Sequence, residues 1–456
     1  MDINLLVIGG GAGGIGAAQA AARRGASVTI VQDGPIGGDC TFTGCVPSKT
    51  LLAAAASGAS FDDAMARVRS VVGEIAANED DRAMAAQGIE VLHGRAELRD
   101  RQRVTVDGKS VQAGRIVLAT GTAPVVPSIP GLDRIDILTN ENVFDLRAQP
   151  RSLAVLGGGP IGCELAQAMA RLGTTVSIVE AADRLLAKEE PEASAVVERA
   201  LRADGITMHI GTSLDRVEPT DGGARLHLSD GSSLEVERVL VAVGRRPATD
   251  GLGLDGVGVE TDDGGFIRTR ATMATTVRGI YAVGDVTGRL PFTHAAARMG
   301  LVAATNALSG WRRLRPQRFE TAAIPWITFT DPEVGHVGMT EAEAAEHGGR
   351  VAVVPFEALD RAIASDRTDG YLKLVVGPRR VIGHAAGGRV LGATVVGPAA
   401  GEVIHEVALA IRTGMFAGRL AQSVHAYPSW SMAVQIAAGQ LFFEIDGRGH
   451  RPARAG

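Results

Sequence analysis

Alternation of apolar and polar positions divides the first half of the chain into strands and helices. An apolar run at residues 5–8 is followed by a glycine-rich turn, an alanine-rich helical stretch and a second apolar run at 28–31. The same order of strand, glycine turn, helix and strand returns at residues 153–180. Strands joined through a helix are typical of a parallel sheet. The pattern therefore predicts two βαβ units of an α/β fold.

Other segments differ from these repeats. Apolar residues at helical spacing predict a helix within 61–87, and short strands are predicted at 89–92 and 103–106. The proline-rich stretch 124–131 predicts an irregular linker between domains.

The region beyond residue 320 follows a third pattern. Alternating positions predict strands at 351–355, 371–376 and 390–396, and a helical pattern covers 400–415. No glycine-rich nucleotide turn accompanies them, so a separate α+β unit is expected. The final segment, 447–456, is arginine-containing and is expected to be a disordered tail.

The glycines of both repeats match a dinucleotide-binding turn. Gly9 suits the tight turn, Gly11 lets the backbone approach a pyrophosphate, and Gly14 lets helix and strand pack closely. The second repeat carries the same spacing at Gly157, Gly159 and Gly162. Two such sites in one chain predict two dinucleotides and redox chemistry between them.

The residue at the end of each second strand predicts the ribose partner. The first repeat has Gln32 with Asp33 beside it, and the second has Glu180 at the equivalent interval. A carboxylate binds a free ribose 2′-hydroxyl and repels a 2′-phosphate. Glu180 therefore predicts a preference for NADH, although the nearby Arg184 leaves NADPH open.

Composition narrows the class of protein. Hydrophobic residues make up 45% and charged residues 21% of 456 residues, which is typical of a folded protein with more than one domain. The formal net charge of −5 gives no reason to expect nucleic acid or an anionic membrane as partner. The N-terminus lacks a basic n-region, and no stretch approaches the ~18 apolar residues of a membrane span. Three cysteines are too few for a secreted disulfide scaffold, so a cytoplasmic protein is expected.

Two of the cysteines, Cys40 and Cys45, lie in one glycine-rich segment. On an ideal helix, residues five apart have Cα atoms about 8–9 Å apart, whereas a disulfide needs about 4.4–6.8 Å. A bond between them requires a distorted turn, which Gly44 permits. A helix N-terminus followed by Lys49 favours a thiolate. The residues alone leave open that the two cysteines are buried and never meet.

Taken together, the motifs resemble those of the class I pyridine nucleotide–disulfide oxidoreductases, which include dihydrolipoamide dehydrogenase, glutathione reductase and mercuric reductase. They are the GGxCxxxxGCxPxK segment, both glycine turns, Ala-Thr120-Gly121 and Ala-Val-Gly-Asp285. The resemblance implies two Rossmann-like dinucleotide-binding domains, for FAD and NAD(P), and a C-terminal α+β dimerisation domain of a homodimer. It implies an FAD-binding domain at 1–147 and 265–319, an NAD(P)-binding domain at 148–264, and a dimerisation domain at 320–446.

Position by position, the resemblance implies two cofactor sites. FAD would contact Gly9, Gly11, Gly14, Gln32, Asp33, Lys49, Thr120, Gly121, Asp285, Thr293, His294 and Ala295. NADH, or NADPH, would contact Gly157, Gly159, Gly162, Glu180 and Gly244.

The resemblance also implies how electrons move. Cys45 matches the cysteine that faces the flavin, and Cys40 matches the one that attacks substrate. Lys49 matches a lysine near the flavin, with Glu164 as its ion-pair partner. Hydride would pass from NAD(P)H to FAD, and electrons would then pass to the Cys40–Cys45 disulfide and a substrate. The third cysteine, Cys163, is expected to be a small buried residue.

The acid/base site departs from the family pattern. Disulfide-reducing members have a His-Pro segment that supplies a base, with a Glu five residues after the His. Here Tyr427 stands at the position of the base and Met432 at that of the Glu. A phenol, with an ordinary pKa of about 10, is a poor base at neutral pH. His425 is an alternative base. Mercuric reductase also has a Tyr near this position, but it carries a C-terminal cysteine pair that this sequence lacks.

The sequence therefore predicts an NAD(P)H-dependent flavoprotein oxidoreductase that acts on a sulfur group or a related small acceptor. With the His–Glu pair replaced, a reactive disulfide, a quinone or a metal ion is expected as acceptor, and no resident metal. One alternative is a disulfide reductase of the dihydrolipoamide dehydrogenase type that uses another base. The other is a non-enzymatic flavin redox sensor.

Overall fold

The computed structural model describes residues 3–309, 315–379, 381 and 383–455. In chain order, the strands are β1 (Ile3–Ile8), β2 (Val28–Gln32), β3 (Ile89–His93), β4 (Ala96–Leu98), β5 (Arg103–Val106), β6 (Lys109–Leu118), β7 (Thr122–Pro124), β8 (Ile137–Leu138), β9 (Ser152–Leu156), β10 (Thr175–Glu180), β11 (Thr207–Ile210), β12 (Leu214–Thr220), β13 (Gly223–Leu228), β14 (Ser233–Val236), β15 (Arg238–Val241), β16 (Arg245–Pro247), β17 (Ile280–Ala282), β18 (Trp326–Thr328), β19 (Glu333–Gly338), β20 (Arg350–Pro355), β21 (Tyr371–Gly377), β22 (Arg389–Gly397) and β23 (Arg451–Pro452). The helices are α1 (Ala12–Ala22), α2 (Gly38–Phe42), α3 (Cys45–Ala56), α4 (Phe61–Ala76), α5 (Asp81–Ala86), α6 (Pro160–Arg171), α7 (Pro191–Ala203), α8 (Leu254–Val257), α9 (Thr293–Leu308), α10 (Glu341–Ala345), α11 (Asp360–Ala364), α12 (Ala400–Arg412), α13 (Ala417–Gln422) and α14 (Met432–Gly439).

The chain divides into two compact units. The first consists of Met1–Ser128, Asp136–Gln149 and Leu240–Glu320, and the second of Ile129–Ile135, Pro150–Val239 and Thr321–Gly456. Residues 240–264, which the sequence assigns to the NAD(P)-binding domain, cluster with the first unit. The finer division into three domains stays a prediction.

A mainly parallel sheet forms the centre of the first unit. Strands β3, β2, β1 and β6 pair in parallel in that order, and β17 pairs in parallel with β6. Helix α1 connects β1 to β2, which confirms the first predicted βαβ unit. Helices α1 and α9 approach closely because the contact is made by glycines. A Cβ on Gly300 would lie only 2.3 Å from the carbonyl oxygen of Gly13.

The second unit contains the second repeat and the α+β region. Strands β9, β10 and β11 pair in parallel, with α6 between β9 and β10, which confirms the second βαβ unit. An antiparallel sheet of order β18-β19-β22-β21-β20-β23 follows. The predicted strands at 351–355, 371–376 and 390–396 correspond to β20, β21 and β22, and the predicted helix to α12. Helix α12 packs on this sheet through buried residues such as Ile404 and Val407.

The C-terminal segment differs from the disordered tail that its composition suggests. Strand β23 pairs antiparallel with β20, and Ala453 N–H donates to the carbonyl of Gly349 at 3.0 Å. Arg451 donates to the buried carboxylate of Glu341 at 2.9 Å. The expectation was wrong for these residues because their partners lie about a hundred residues earlier, where no local pattern reveals them.

Candidate active site

The two cysteines lie on different helices. Helix α2 carries Cys40, and α3 begins at Cys45, with Thr43 and Gly44 between the helices. Thr43 N–H donates to the carbonyl of Asp39 at 2.9 Å, which closes α2. A Cβ on Gly44 would lie 2.8 Å from that same carbonyl oxygen, so a side chain does not fit there. The chain thus contains the distorted turn that a bond between the cysteines requires.

The thiol environments of the two cysteines differ. Both are free thiols, Cys45 exposed and Cys40 half-buried. A hydrogen bond with Cys45 raises the pKa of the Cys40 thiol, and burial raises that pKa further. The Cys45 sulfur lies 3.4 Å from Oγ1 of Thr293, and Lys49 follows one turn later on α3. Cys40 therefore keeps its proton at neutral pH while Cys45 faces Thr293, a predicted FAD contact.

The first glycine turn has the geometry that a pyrophosphate needs. Gly9 has a φ of +106°, and a Cβ there would lie 2.2 Å from a backbone oxygen; on Gly14 it would lie 1.9 Å from the Gly9 carbonyl oxygen. Gly11 caps the N-terminus of α1, and the nearest atom to a Cβ there would be 3.9 Å away. Gln32 Oε1 accepts the N–H of Gly10 at 2.6 Å, so this side chain holds the turn itself.

The residues that follow β6 fit a bound dinucleotide. Thr120 Oγ1 is buried and has no hydrogen-bond partner among the described residues. Gly121 has a φ of +71° with open space where a Cβ would be. Burial raises the pKa of the Asp285 carboxyl, while Arg245 and a hydrogen bond from Thr122 act in the opposite direction. An unpaired hydroxyl and a half-buried carboxylate beside an open glycine are what polar contacts to FAD would use.

The start of α9 supplies a second side of this site. Thr293 is the first residue of α9, Ala295 is fully buried, and His294 is exposed. The His294 ring stacks on Phe292 with 5.8 Å between ring centroids. Because Thr293 contacts Cys45, the structure brings this segment and the redox segment together.

The second glycine turn repeats the geometry of the first. Gly157 has a φ of +105°, and a Cβ on Gly162 would lie 2.0 Å from the Gly157 carbonyl oxygen. Gly159 caps α6 in open space. Cys163 is fully buried, and its thiol donates to a backbone carbonyl at 3.3 Å, which confirms that it is a small core residue. Burial raises the pKa of this thiol.

Glu180 is held at the end of β10 by backbone donors. Its two carboxylate oxygens accept the N–H groups of Gly158 and Ala182, the latter at 2.7 Å. Each carboxylate oxygen has a further lone pair, so a ribose hydroxyl can still donate to it. Arg184 Nη2 donates to the carbonyl of Ala187 at 2.8 Å, so this guanidinium has a contact within its own loop.

Several predicted site residues lie apart from these clusters. Asp33 is exposed and pairs with Arg95 at 3.0 Å on the surface. Gly244 lies in the first compact unit, immediately before β16, and not in the unit that carries the second glycine turn. Glu164 is buried on α6, and its predicted ion pair with Lys49 stays a prediction.

Tyr427 is anchored by a carboxylate that its own segment does not supply. The phenol donates to Asp360 Oδ2 at 2.9 Å, and this hydrogen bond raises the pKa of Tyr427 above its ordinary value. Met432 begins α14, and Trp430 packs on Phe356 with 5.4 Å between ring centroids. The phenol therefore keeps its proton at neutral pH.

His425 is engaged on both ring nitrogens. Nε2 lies 2.9 Å from Glu406 Oε2, and Nδ1 lies 3.0 Å from the carbonyl oxygen of Ser423. Both partners are acceptors, so either ring nitrogen can donate to its partner. His425 is therefore contacted at both ring nitrogens by groups of its own subunit.

Sequence reasoning missed the residues that support these groups. Asp360 and Glu406 hold Tyr427 and His425 across 67 and 19 residues. Arg245 contacts Asp39 and Thr122 within the first unit. Arg245 follows Gly244 in the run Gly-Arg-Arg-Pro, and the residues of this run alone do not show which arginine turns inward.

The described ranges contain neither a metal-binding cluster nor a membrane-spanning helix. No cluster of three or more His, Cys, Asp and Glu side chains there is arranged to hold a metal ion. Within the same ranges, no helix combines the length and apolar character that a bilayer span requires.

Comparison with known proteins assigns the N-terminal and the C-terminal part of the chain to one family. Residues 3–300 match the model of the pyridine nucleotide-disulphide oxidoreductases, and residues 324–438 match their dimerisation domain. Mercuric reductase of Streptomyces lividans is 36% identical over 95% of each chain. Dihydrolipoyl dehydrogenase of Chlorobaculum tepidum is 38% identical over 96% of each chain.

The fold is also shared with solved structures. The Cu(II) complex of the HOCl-induced flavoprotein disulfide reductase of Escherichia coli superimposes with a TM-score of 0.86 at 28% identity, covering 96% of this chain and 99% of that one. The family is FAD-dependent and uses NAD(P)H. On these matches and on the two βαβ units, the chain is a flavoprotein oxidoreductase that belongs to the pyridine nucleotide-disulphide oxidoreductases.

Proposed function

We propose that this enzyme uses NADH to reduce the Cys40–Cys45 disulfide, and that the resulting dithiol reduces a small acceptor. Bound FAD supplies the hydride acceptor and the electron relay between nicotinamide and disulfide. When the Cys40–Cys45 bond re-forms, two electrons pass to the acceptor and two protons are released. The observation that carries the proposal is the turn at Thr43–Gly44, which places the two cysteines on abutting helices with Cys45 against Thr293.

The two thiols have different roles in this proposal. Cys45, exposed and in contact with Thr293, is the cysteine on the flavin side. Cys40 is the cysteine that attacks the substrate. The hydrogen bond with Cys45 and burial raise the pKa of the Cys40 thiol, so this thiol keeps its proton until the substrate arrives and loses it during the attack. Lys49 and Glu164 complete the flavin side as the predicted ion pair.

Proton handling limits the choice of acceptor. Thiol exchange with an ordinary disulfide needs a base that titrates near neutral pH. Tyr427 is held as a donor by Asp360, and both ring nitrogens of His425 already contact Glu406 and the Ser423 carbonyl, so neither side chain is free for an incoming substrate within this subunit. Reduction of a metal ion needs electrons but no proton. Reduction of a quinone or a reactive disulfide depends less on a protein base than reduction of lipoamide does. We therefore favour a metal ion, a quinone or a reactive disulfide.

The names of two similar proteins support a metal ion among these acceptors. The Streptomyces relative is a mercuric reductase, and the Escherichia coli reductase was solved as a Cu(II) complex. Because the described residues form no resident metal cluster, a metal ion would meet the thiols as substrate.

The preference for NADH follows from Glu180. Its carboxylate is fixed by two backbone N–H groups at the end of β10, where a 2′-phosphate would meet a negative charge. Comparison of kcat/KM for NADH and NADPH tests this directly; an equal or higher value for NADPH would overturn the preference.

The matched dimerisation domain supports a homodimer, and the three-cysteine composition supports a cytoplasmic location. The division into FAD-binding, NAD(P)-binding and dimerisation domains is proposed with the boundaries given by the sequence.

The decisive experiment is an acceptor panel on the FAD-loaded enzyme with NADH. Hg(II), Cu(II), a quinone, an aromatic disulfide with a good thiolate leaving group, lipoamide and glutathione disulfide are compared in the wild type and in Cys40→Ser, Cys45→Ser and Cys163→Ser. We expect turnover with at least one of the first four acceptors, loss of that turnover in the first two variants, and no loss in the third. Full activity of Cys40→Ser would mean that electrons bypass the cysteine pair. No NADH consumption with any acceptor would favour a redox sensor.

A further inference from the structure

Arg245 makes four side-chain hydrogen bonds beside the redox segment. Its Nε donates to Oγ1 of Thr122 at 2.7 Å, and Nη2 donates to the Thr122 carbonyl at 2.8 Å. Nη2 also pairs with the carboxylate of Asp39, the residue before Cys40. The side chain is only 20% exposed. It therefore links the β7–β16 ribbon directly to α2.

A second link reaches the turn between the cysteines. Arg245 Nη1 donates to Oδ1 of Asn140 at 3.2 Å, and Asn140 Nδ2 donates to the carbonyl of Thr43 at 3.3 Å. Asn140 is buried. One guanidinium thus holds both ends of the turn, Asp39 directly and Thr43 through Asn140.

We propose that Arg245 is a positioning residue for the redox pair: it clamps the Asp39–Gly44 turn and so keeps the Cys40 and Cys45 thiols close enough to bond. The inference deepens the proposed function and rests on its cysteine pair. The hydrogen bonds of Arg245 go to Thr122, Asn140 and Asp39, so it acts on the cysteines through the backbone that carries them.

The spacing of the cysteines explains why a clamp matters. The two residues are five apart and lie on different helices, so their sulfur atoms meet only while the turn is closed. The equilibrium between dithiol and disulfide depends on the effective concentration of one thiol at the other. Backbone hydrogen bonds at Thr43 and the glycine at residue 44 permit the turn, but they do not tie it to the surrounding sheet.

The neighbouring arginine provides a matched control. Arg246 lies on the same strand, is 56% exposed, and pairs with Asp250, which is 86% exposed. Arg245→Met and Arg246→Met remove the same charge from adjacent positions. Only the first breaks the contacts to Asp39 and Asn140.

The test measures the stability of the disulfide without relying on turnover. FAD-loaded wild type and variants are equilibrated with mixtures of reduced and oxidised dithiothreitol, and Cys40–Cys45 is quantified by alkylation and peptide mass spectrometry. Oxidised dithiothreitol takes two electrons and two protons from the two thiols as the protein S–S bond forms. We expect Arg245→Met to lower the disulfide equilibrium constant about tenfold, which corresponds to a potential about 30 mV less negative. Arg246→Met should match the wild type.

A second variant keeps the proposal testable if Arg245→Met does not fold. Asp39→Asn removes one arm of the clamp and keeps the arginine, so it should shift the equilibrium in the same direction by a smaller factor. An unchanged equilibrium in Arg245→Met, or in Asp39→Asn where only that variant folds, overturns the clamp. A shift of equal size in Arg246→Met overturns it as well, because the cause would be net charge. Failure of the wild type itself to form the disulfide would refute the proposed function instead.

Discussion

Replacement of Lys373 by Met should destabilise the second unit strongly. The lysine side chain is 2% exposed, and its ammonium lies 3.0 Å from Glu190 and Glu192 and 2.9 Å from Glu341. Glu190 and Glu341 are themselves buried. Met has a similar length and no charge, so the change removes the cation while the apolar stem keeps its packing.

The size of the destabilisation follows from the buried carboxylates that lose their cation. Removal of one partner from a buried ion pair typically costs about 3–5 kcal/mol, because the remaining charge is left without compensation. For a unit of this size, about 2–4 °C of melting temperature is lost per kcal/mol. We therefore expect the melting temperature of the second unit to fall by about 6–20 °C.

The pH dependence of this loss has a definite sign. Burial acts to raise the pKa of Glu341, but hydrogen bonds from Arg451 and Lys373 outweigh it and lower the pKa to about 2. A carboxylate with a lowered pKa in the folded state stabilises above its unfolded pKa of about 4.5. That contribution is lost as pH falls from about 4.5 towards 2. The difference in the free energy of unfolding between wild type and Lys373→Met should be largest at pH 7 and should decrease over that range.

Calorimetric or circular-dichroism melts at pH 7 and pH 3 measure both effects. Lys188→Met is the matched control, because Lys188 is exposed and lies in the same unit. We expect the control to melt within about 2 °C of the wild type, since surface substitutions usually change stability by less than 0.5 kcal/mol. If Lys373→Met also melts within that margin, the carboxylates reach water without the lysine and the buried-network reasoning is refuted.

Three further outcomes are expected. Tyr427→His combined with Met432→Glu should raise turnover on lipoamide, measured as NADH oxidation, because it installs a base with a neutral-range pKa; no gain would mean that this departure does not limit disulfide reduction. Asp360→Asn should lower the pKa of Tyr427, seen as earlier phenolate absorbance in an alkaline titration, because the carboxylate that holds the phenol proton is removed. Burial raises the pKa of Glu189 to about 7, and Trp326 donates to it at 2.7 Å. Tryptophan fluorescence should therefore titrate near pH 7 in the wild type and stay flat in Glu189→Gln, and stability should fall as pH rises from about 4.5 to 7.

The parts of this fold that the sequence predicts are those whose cause is local. Gly14 must be glycine because a Cβ there would strike the Gly9 carbonyl oxygen within the same turn, and Gly9 because its φ of +106° is one that glycine adopts readily and other residues do not. The alternation in β21 and β22 and the helical spacing in α12 reflect burial on one core. Each of these requirements arises within a few neighbouring residues, so residue spacing alone is enough to locate these turns, strands and the helix.

The supporting contacts of the site are not local, and the sequence does not reveal them. Asp360 anchors Tyr427 from 67 residues away, and Arg245 reaches Asp39 across 206 residues. The strand formed by Arg451 depends on Glu341, 110 residues earlier. A charged residue in a loop has the same appearance in sequence whether it faces water or a distant partner. Composition therefore predicted a disordered tail, whereas in the structure the buried carboxylate of Glu341 holds Arg451 in place.

The functional residues divide in the same way between local and remote causes. The residues that deliver electrons belong to local motifs, whereas those that handle protons depend on partners far away in the chain. The glycine turns and the cysteine segment are local motifs, and each has the backbone geometry that its motif predicts. The proton-handling residues are defined by remote partners: Asp360 makes Tyr427 a donor, and Glu406 with the Ser423 carbonyl occupies His425. Substitution at position 427 alone therefore leaves an introduced imidazole without the orienting carboxylate that the family pattern carries five residues later. The Glu at position 432 supplies that carboxylate, so the double substitution is the one expected to restore proton transfer from a thiol.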